Sequence, residues 1–258
     1  MQQVYTAESL ADRHEWLLLN LAERKRINTN SVAELLGVSV DTIRRDLRLL
    51  HSRGLLRRVH GGAVPISRLS PSFNGRADDD SPDRARLADA LVQRFEPGQI
   101  IGLDAGTTTT HIAAQIPQSL AITIVTNNPA AAVALADHAN ATVVLVGGDV
   151  DLRWMATTGP TAVDAIRSYQ LDISIVGVCS FDATNGASTR SRSEVPTKQA
   201  FIASAADTYM PVEINKLGTV APFRVATPHE ASVVVLEDSI EKSRLLQWQS
   251  DGIDVITA

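Results

Sequence analysis

Two stretches of this 258-residue chain place reactive side chains at spacings that suggest chemistry. The first is Gly102-Leu103-Asp104-Ala105-Gly106-Thr107-Thr108-Thr109-Thr110, an acid, a glycine and four hydroxyls between an apolar run and a helical pattern. Gly106 lets the main chain approach a ligand, and successive amides at a helix start, with threonine hydroxyls, make a cradle for an anion such as phosphate. No lysine follows as in a Walker A loop, and no G-x-G-x-x-G dinucleotide pattern occurs. Taken alone, Thr107 or Thr108 reads equally well as a helix cap. The second stretch, Ser39 to Val64, reads SVDTIRRDLRLLHSRGLLRRVHGGAV. Ile43, Leu47 and Leu50 recur at helical spacing while Arg44, Arg45 and Arg48 fall on other faces, so one side packs and another is basic. That is chemistry suited to a phosphodiester backbone.

The elements needed to present these residues can be read outward from them. Ser39 is a good N-cap and Gly54 a C′ residue for the basic helix. Leu55–Val59 and Ala63–Val64 flank Gly61-Gly62 as a short hairpin carrying Arg57, Arg58 and His60. Upstream, Asn28 caps a helix running to Leu36, Gly37-Val38 form a tight turn, and Arg13 to Arg26, with Trp16 in its apolar set, forms a supporting helix. The order is helix, turn, helix, wing. In that arrangement Asp41, Thr42, Arg44 and Arg45 reach base edges and phosphates in a major groove, and the wing reaches the adjacent backbone. Charge is divided accordingly: residues 1–70 hold 11 basic and 7 acidic side chains, net +4, and residues 71–258 hold 13 and 22, net −9. A merely solvated basic helix would not require that asymmetry.

Residues 65–80 are rich in Pro, Ser, Gly and Asp and read as a linker. Ser81-Pro82-Asp83 marks a helix start, with the helix running to about Phe95. Strands then alternate with helices: strand Ile100–Leu103, helix Thr108–Gln115, strand Ile122–Val125, helix Pro129–His138, strand Thr142–Val146, helix Thr161–Ser168 and strand Ile173–Val176. A long loop to Pro196 precedes helix Thr197–Ala206, strands Tyr209–Ile214 and Ser232–Leu236, helix Ser239–Ser250 and strand Asp254–Ile256. The strands are unbroken apolar runs, as a parallel sheet covered on both faces requires. Hydrophobic residues make up 44% and charged residues 21%, an ordinary globular mixture. No apolar run approaches a membrane span and the N-terminus lacks a secretory pattern, so a cytoplasmic location is expected. The single cysteine, Cys179, excludes an internal disulfide and a multi-thiolate centre, and the six histidines lack ligand spacing, so no metal or cofactor is expected.

The stretch LLGVSVDTIRRDLRLL followed by GLLRRVHGGAV resembles the winged helix-turn-helix of the DeoR family of bacterial transcription regulators, with a near-gapless match from Ala33 to Val64. The resemblance implies a winged helix-turn-helix domain (1–64), a linker (65–80) and an α/β effector and oligomerisation domain (81–258), Rossmann-like and similar to ribose-5-phosphate isomerase. It implies DNA contacts from Ser39, Asp41, Thr42, Arg44, Arg45, Arg48, Arg57, Arg58, His60 and Gly61. In this family, and in the similar ribose-5-phosphate and glucosamine-6-phosphate isomerase folds, the DAGTTT loop holds the ligand phosphate, which assigns Asp104, Gly106, Thr107, Thr108 and Thr109 to the effector. Thr126-Asn127 matches the family's TN pair and Gly147-Gly148 its GG pair. Asn127 and Asn128 read equally as helix caps, and the glycine pair as a tight turn. Gly186-Ala187-Ser188-Thr189 with Glu194 and Lys198 resembles a G-L-T-T segment, and Asn215-Lys216-Leu217-Gly218 an S-K-F-G, which adds Glu194, Lys198 and Lys216. Glu194 and Lys198 read equally as an i, i+4 helix pair.

Where the family carries acids in G-A-D-G and T-T-P-D loops, this chain has Cys179-Ser180 and Arg190-Ser191, with Arg192 nearby. Arg190 therefore joins the effector set, either as recognition of a second anionic group or as a drifted, exposed loop. The first functional reading is a DNA-binding regulator, a repressor of carbohydrate-metabolism genes, acting as a homo-oligomer (dimer or tetramer) on double-stranded operator DNA and responding to a sugar phosphate. The second is a sugar-phosphate isomerase with an appended DNA-binding domain. Moving a proton on an enediol needs an acid or histidine beside the sugar, and with Asp104, Glu194 and Glu213 left while acids are missing at Cys179 and Ser191, the first reading is preferred and no enzyme is expected.

Overall fold

The computed structural model describes residues 10–24, 26–52, 55–65, 73, 82–250 and 252–258. The proposed cap Ser81, the C′ residue Gly54 and nearly all of the linker lie outside them. The N-terminal part contains α1 (Leu10–Arg24), β1 (Ile27–Asn28), α2 (Thr29–Leu36), α3 (Val40–Ser52), β2 (Arg57–Val59) and β3 (Gly62–Val64). Asn28 caps α2 through its side chain, which accepts from the Asn30 and Ser31 amides, and Gly37 closes it at φ 64°. Ser39 Oγ accepts the Thr42 amide at 3.0 Å, the expected cap of α3. Leu17, Leu21, Ile43, Leu47, Leu50 and Leu56 form one buried cluster, each side chain contributing about 1.5–3 kcal/mol.

The hairpin is present, and it gains a third strand that sequence periodicity did not indicate. β1 pairs antiparallel with β3, and β3 with β2, giving the order β1-β3-β2. Gly62 faces Ile27 so closely that a Cβ would collide with the Ile27 carbonyl. Asp46 of α3 is buried and binds Arg13 Nε at 2.5 Å and His14 Nε2 at 3.2 Å, tying α1 to α3.

The larger part begins with α4 (Pro82–Val92) and is built on a seven-stranded sheet. Its strands are β4 (Ile100–Leu103), β5 (Ile122–Thr126), β6 (Ala141–Leu145), β9 (Leu171–Ile175), β12 (Ala205–Val212), β14 (Val233–Leu236) and β15 (Val255–Thr257). Their order is β15-β14-β12-β9-β4-β5-β6 and every pairing is parallel. Helices α5 (Thr107–Gln115), α6 (Pro129–Ala134), α7 (Pro160–Arg167), α8 (Val195–Ser204) and α9 (Lys242–Ser250) connect and cover it. From β4 the chain proceeds to one edge through β5 and β6, then returns to the other side of β4 with β9. Strand order therefore reverses between β4 and β9, where open α/β sheets leave a crevice at their carboxyl ends.

Two antiparallel pieces were not expected. The hairpin β7 (Asp149–Asp151) and β8 (Ala156–Thr158) follows β6. The loop expected up to Pro196 instead holds β10 (Ser180–Asp182) and β11 (Gly186–Thr189), which form a three-stranded sheet with β13 (Phe223–Ala226). Helix α6 ends at Ala134 rather than His138, and α9 begins at Lys242 rather than Ser239.

Candidate functional site

A small cleft, open to solvent, lies at the switch point. Its floor comes from the loops after β4 and β9, which are joined: the Asp104 amide donates to the Ile175 carbonyl at 3.0 Å, and Asp104 Oδ2 accepts the Gly177 amide at 3.1 Å. One wall is the first turn of α5, with Gly106 as N-cap at φ 150° and Thr107, Thr108 and Thr109 facing the space. Gly106 supplies no side-chain cap, so the amides of this turn are directed at the cleft, where an anion is favoured.

Lys198 and Glu194, from the start of α8, and Lys216, from the 3₁₀ turn Ile214–Lys216, complete the polar lining. Lys198 is buried, with its ammonium bonded to Asp104 Oδ2 and, at 2.9 Å, to the Gly177 carbonyl. Glu194 Oε1 lies 3.9 Å from it, so the helical i, i+4 pair is the weaker of its two ionic contacts. Burial pushes the Asp104 carboxyl above its ordinary value, against the opposing pull of Lys198 and the Ala105 and Gly177 amides. Burial also works against the Lys198 ammonium, yet Asp104 and Glu194 together hold its pKa above the ordinary value, so it is a fixed positive charge. Lys216 donates to Glu213 Oε1 at 2.7 Å, and Glu213 is also 3.7 Å from buried Arg84.

Several expected effector residues act one step back from the cleft. Thr126 Oγ1 donates to the Leu103 carbonyl at 2.6 Å, and Asn127 Nδ2 to the Thr157 carbonyl at 3.1 Å, and neither is among the residues that line the cleft. Asn128 caps α6 and donates to the Gly106 carbonyl and to the hydroxyls of Thr109 and Thr110. Those two hydroxyls themselves bond back to Gly106, so their role is to fix the cradle. Gly147 and Gly148 lie outside the lining. Gly148, at φ 144°, lets β8 approach where a Cβ would strike the Thr158 carbonyl, the tight-turn alternative. Arg190 and Arg192 are also not among the lining residues, whose cations are Lys198 and Lys216. Sequence reasoning missed Trp154, Gly177 and Val178, and placed Cys179 only as a strand-end hydrophobe; all four line the cleft. Trp154 sits on the unexpected β7–β8 hairpin, for which the apolar pattern carried no signal.

The second candidate surface is on the N-terminal part. Arg44, Arg45 and Arg48 of α3, and Arg58, His60 and Gly61 of the wing, are exposed, and Thr42 is half-buried. A groove between α2, α3 and the wing is lined by Asn28, Arg44, Arg58 and His60 among others. Asp41 is exposed and 3.2 Å from Arg44, while Ser39 is occupied in capping. Arg57 departs from expectation. It is half-buried and donates to the Ala221 carbonyl of the larger part, and burial, with the Arg224 charge nearby, lowers its pKa. Arg26 makes a neighbouring contact, donating to Thr184 Oγ1 at 2.7 Å and lying 3.3 Å from Asp182.

No group of three side chains suited to a metal occurs among the described residues, and no helix there is long and apolar enough to cross a membrane. The chain is 29% identical over 248 residues to the HTH-type transcriptional regulator GlpR of Haloferax volcanii, covering 95% of this chain and 97% of that protein. It is 28% identical over 207 residues to the glycerol-3-phosphate regulon repressor of Escherichia coli, covering 80% and 82% respectively. Among solved structures, ribose 5-phosphate isomerase A from Methanocaldococcus jannaschii is 14% identical over 52% of this chain and 53% of that one, with a TM-score of 0.39. Residues 13–68 match the DeoR-like helix-turn-helix domain and residues 80–238 the DeoR C terminal sensor domain. With a recognition helix and wing at one end, a switch-point cleft at the other, and family matches to both, the chain belongs to the DeoR family of transcription regulators.

Proposed function

We propose that the protein is a DNA-binding repressor of carbohydrate-metabolism genes, released or engaged by a small phosphorylated sugar or polyol held in the switch-point cleft. The DNA-binding domain is residues 1–64, the linker 65–80 and the effector and oligomerisation domain 81–258. The observation that carries the reading is the pairing, in one chain, of an exposed basic helix and wing with a cleft whose helix N-terminus, Lys198 and Lys216 suit one phosphate. The name of the Escherichia coli relative, a glycerol-3-phosphate regulon repressor, supports an effector of that class. Catalysis does not follow from the cleft: Asp104 is already committed to Lys198, leaving it poorly placed to shuttle a proton.

Operator recognition requires two recognition helices about one DNA turn apart, roughly 34 to 36 Å, so the working unit is a homo-oligomer, a dimer or tetramer, in the cytoplasm. The effector changes operator occupancy only through different affinity for the DNA-bound and free arrangements. Selection of bound genomic fragments by the purified full-length protein tests this. The expected result is a discrete fragment set whose binding changes with added sugar phosphates. Arg44→Ala/Arg45→Ala should weaken that binding and flatten its salt dependence by about one unit for each phosphate no longer neutralised. Arg57→Ala should weaken it much less, because that guanidinium is engaged by Ala221. Equal affinity for selected and random duplexes, with and without ligand, would overturn the reading.

A further inference from the structure

Trp154 brings to the cleft a chemistry that differs from that of the threonines and lysines. Trp154 is 5% exposed yet faces the cleft, and it packs with Ala105, Ala156 and Cys179 in a small buried cluster separate from the main cores. It is held in place from several directions. The Trp154 amide donates to the Asp151 carbonyl at 3.2 Å, and Asp151 Oδ1 accepts the Arg153 amide at 3.0 Å. Asp151 Oδ2 accepts Ser193 Oγ at 3.3 Å, which fastens the hairpin turn beside Glu194. The Arg153 guanidinium lies over the indole at 5.4 Å. The next residue, Met155, has φ 51°, the one positive φ outside glycine among the described residues. Such conformations persist where the surroundings fix them, and they concentrate at ligand clamps.

The lining therefore combines two chemistries: the amides and hydroxyls of the α5 start with the charged groups of Glu194, Lys198 and Lys216, and the apolar surface of Trp154, Ala105 and Val178. An inorganic anion uses only the first. A phosphorylated carbon chain uses both, placing its C–H face on the aromatic ring while its phosphate meets α5. We propose that Trp154 is the specificity-determining residue of the cleft, selecting organic monophosphates with an extended carbon skeleton over free phosphate. This rests on the effector reading above and adds to it the group that reads the carbon skeleton.

The test is calorimetric titration of the full-length protein with inorganic phosphate and with three-, five- and six-carbon sugar or polyol monophosphates, for wild type, Trp154→Ala and Trp154→Phe. Thermal melts accompany each variant. The expected result is that Trp154→Ala weakens the best organic monophosphate about tenfold, the scale of removing one aromatic ring from a binding surface, while inorganic phosphate changes less than twofold. Trp154→Phe, which keeps the cluster with Ala105 and Ala156 filled, should retain most of the preference. Indole emission should respond to the organic ligand in wild type and not in Trp154→Phe, since Trp248 packs against Phe181 and Trp16 belongs to the N-terminal core. An unchanged ratio of organic to inorganic affinity in both variants overturns the inference and leaves the effector reading standing. Failure of wild type to bind any of these anions overturns both.

Discussion

Lys198 shows how far a single side chain in this cleft depends on its neighbours. It is buried beside Asp104 and Glu194, and Asp104 in turn holds the Gly177 amide, so one ion pair joins the loops after two adjacent strands to the start of α8. Removing one member of such a pair leaves an uncompensated charge in a low-dielectric site, which typically costs about 3–5 kcal/mol. Lys198→Met should therefore lower the free energy of unfolding in urea by that order, and adding Asp104→Asn should recover most of the loss, because the orphaned carboxylate is then gone. Full additivity of the two substitutions in the unfolding free energy would contradict this account. Of the expected effector residues, Gly106, Thr107, Thr108, Thr109, Glu194, Lys198 and Lys216 line the cleft, beside loops or helix starts that local patterns mark. Thr126 bonds the Leu103 carbonyl, while Asn127 bonds Thr157 and Gly148 packs against Thr158, a difference of partner that spacing along a chain does not contain.

Elements differed in legibility for a physical reason. Strands β4, β5 and β14 read plainly because burial on both faces makes them continuous apolar runs. The pieces Asp149–Asp151, Ala156–Thr158 and Gly186–Thr189 are three or four residues long and largely polar or small, and their pairing is imposed by the surrounding structure. The two-residue strand β1 is a similar case: nothing in Ile27-Asn28 alone indicates that it will complete the wing sheet. That sheet yields a direct prediction. Gly62→Ala drives a Cβ into the Ile27 carbonyl, so β1 and β3 must separate. The expected outcome is early loss of amide protection at Ile27 and Ala63 in hydrogen exchange, together with weakened DNA binding, while protection in β4 and β5 stays unchanged. Equal protection in the variant would show that the wing tolerates the side chain by other means.

At the scale of the molecule, the acidic and basic halves are in contact, with Arg26 and Arg57 of the N-terminal part engaged by Asp182, Thr184 and Ala221. The segment between the halves is also not attached only at its ends: the Phe73 amide donates to the Arg153 carbonyl at 2.8 Å, and the Phe73 side chain is buried. That one hydrogen bond resets the length of the tether. From Val64 to Pro82 an extended chain could span roughly 60 Å, but from Val64 to Phe73 only about 30 Å. In the proposed homo-oligomer a shorter connection would permit a narrower range of half-site separations. Inserting four flexible residues between positions 66 and 72 should broaden the operator spacings bound in a gel-shift series, whereas the same insertion between 74 and 80 should not. If the proposed homo-oligomer binds paired half-sites, the mooring at Phe73 makes the hairpin beside the cleft the point from which their separation would be measured.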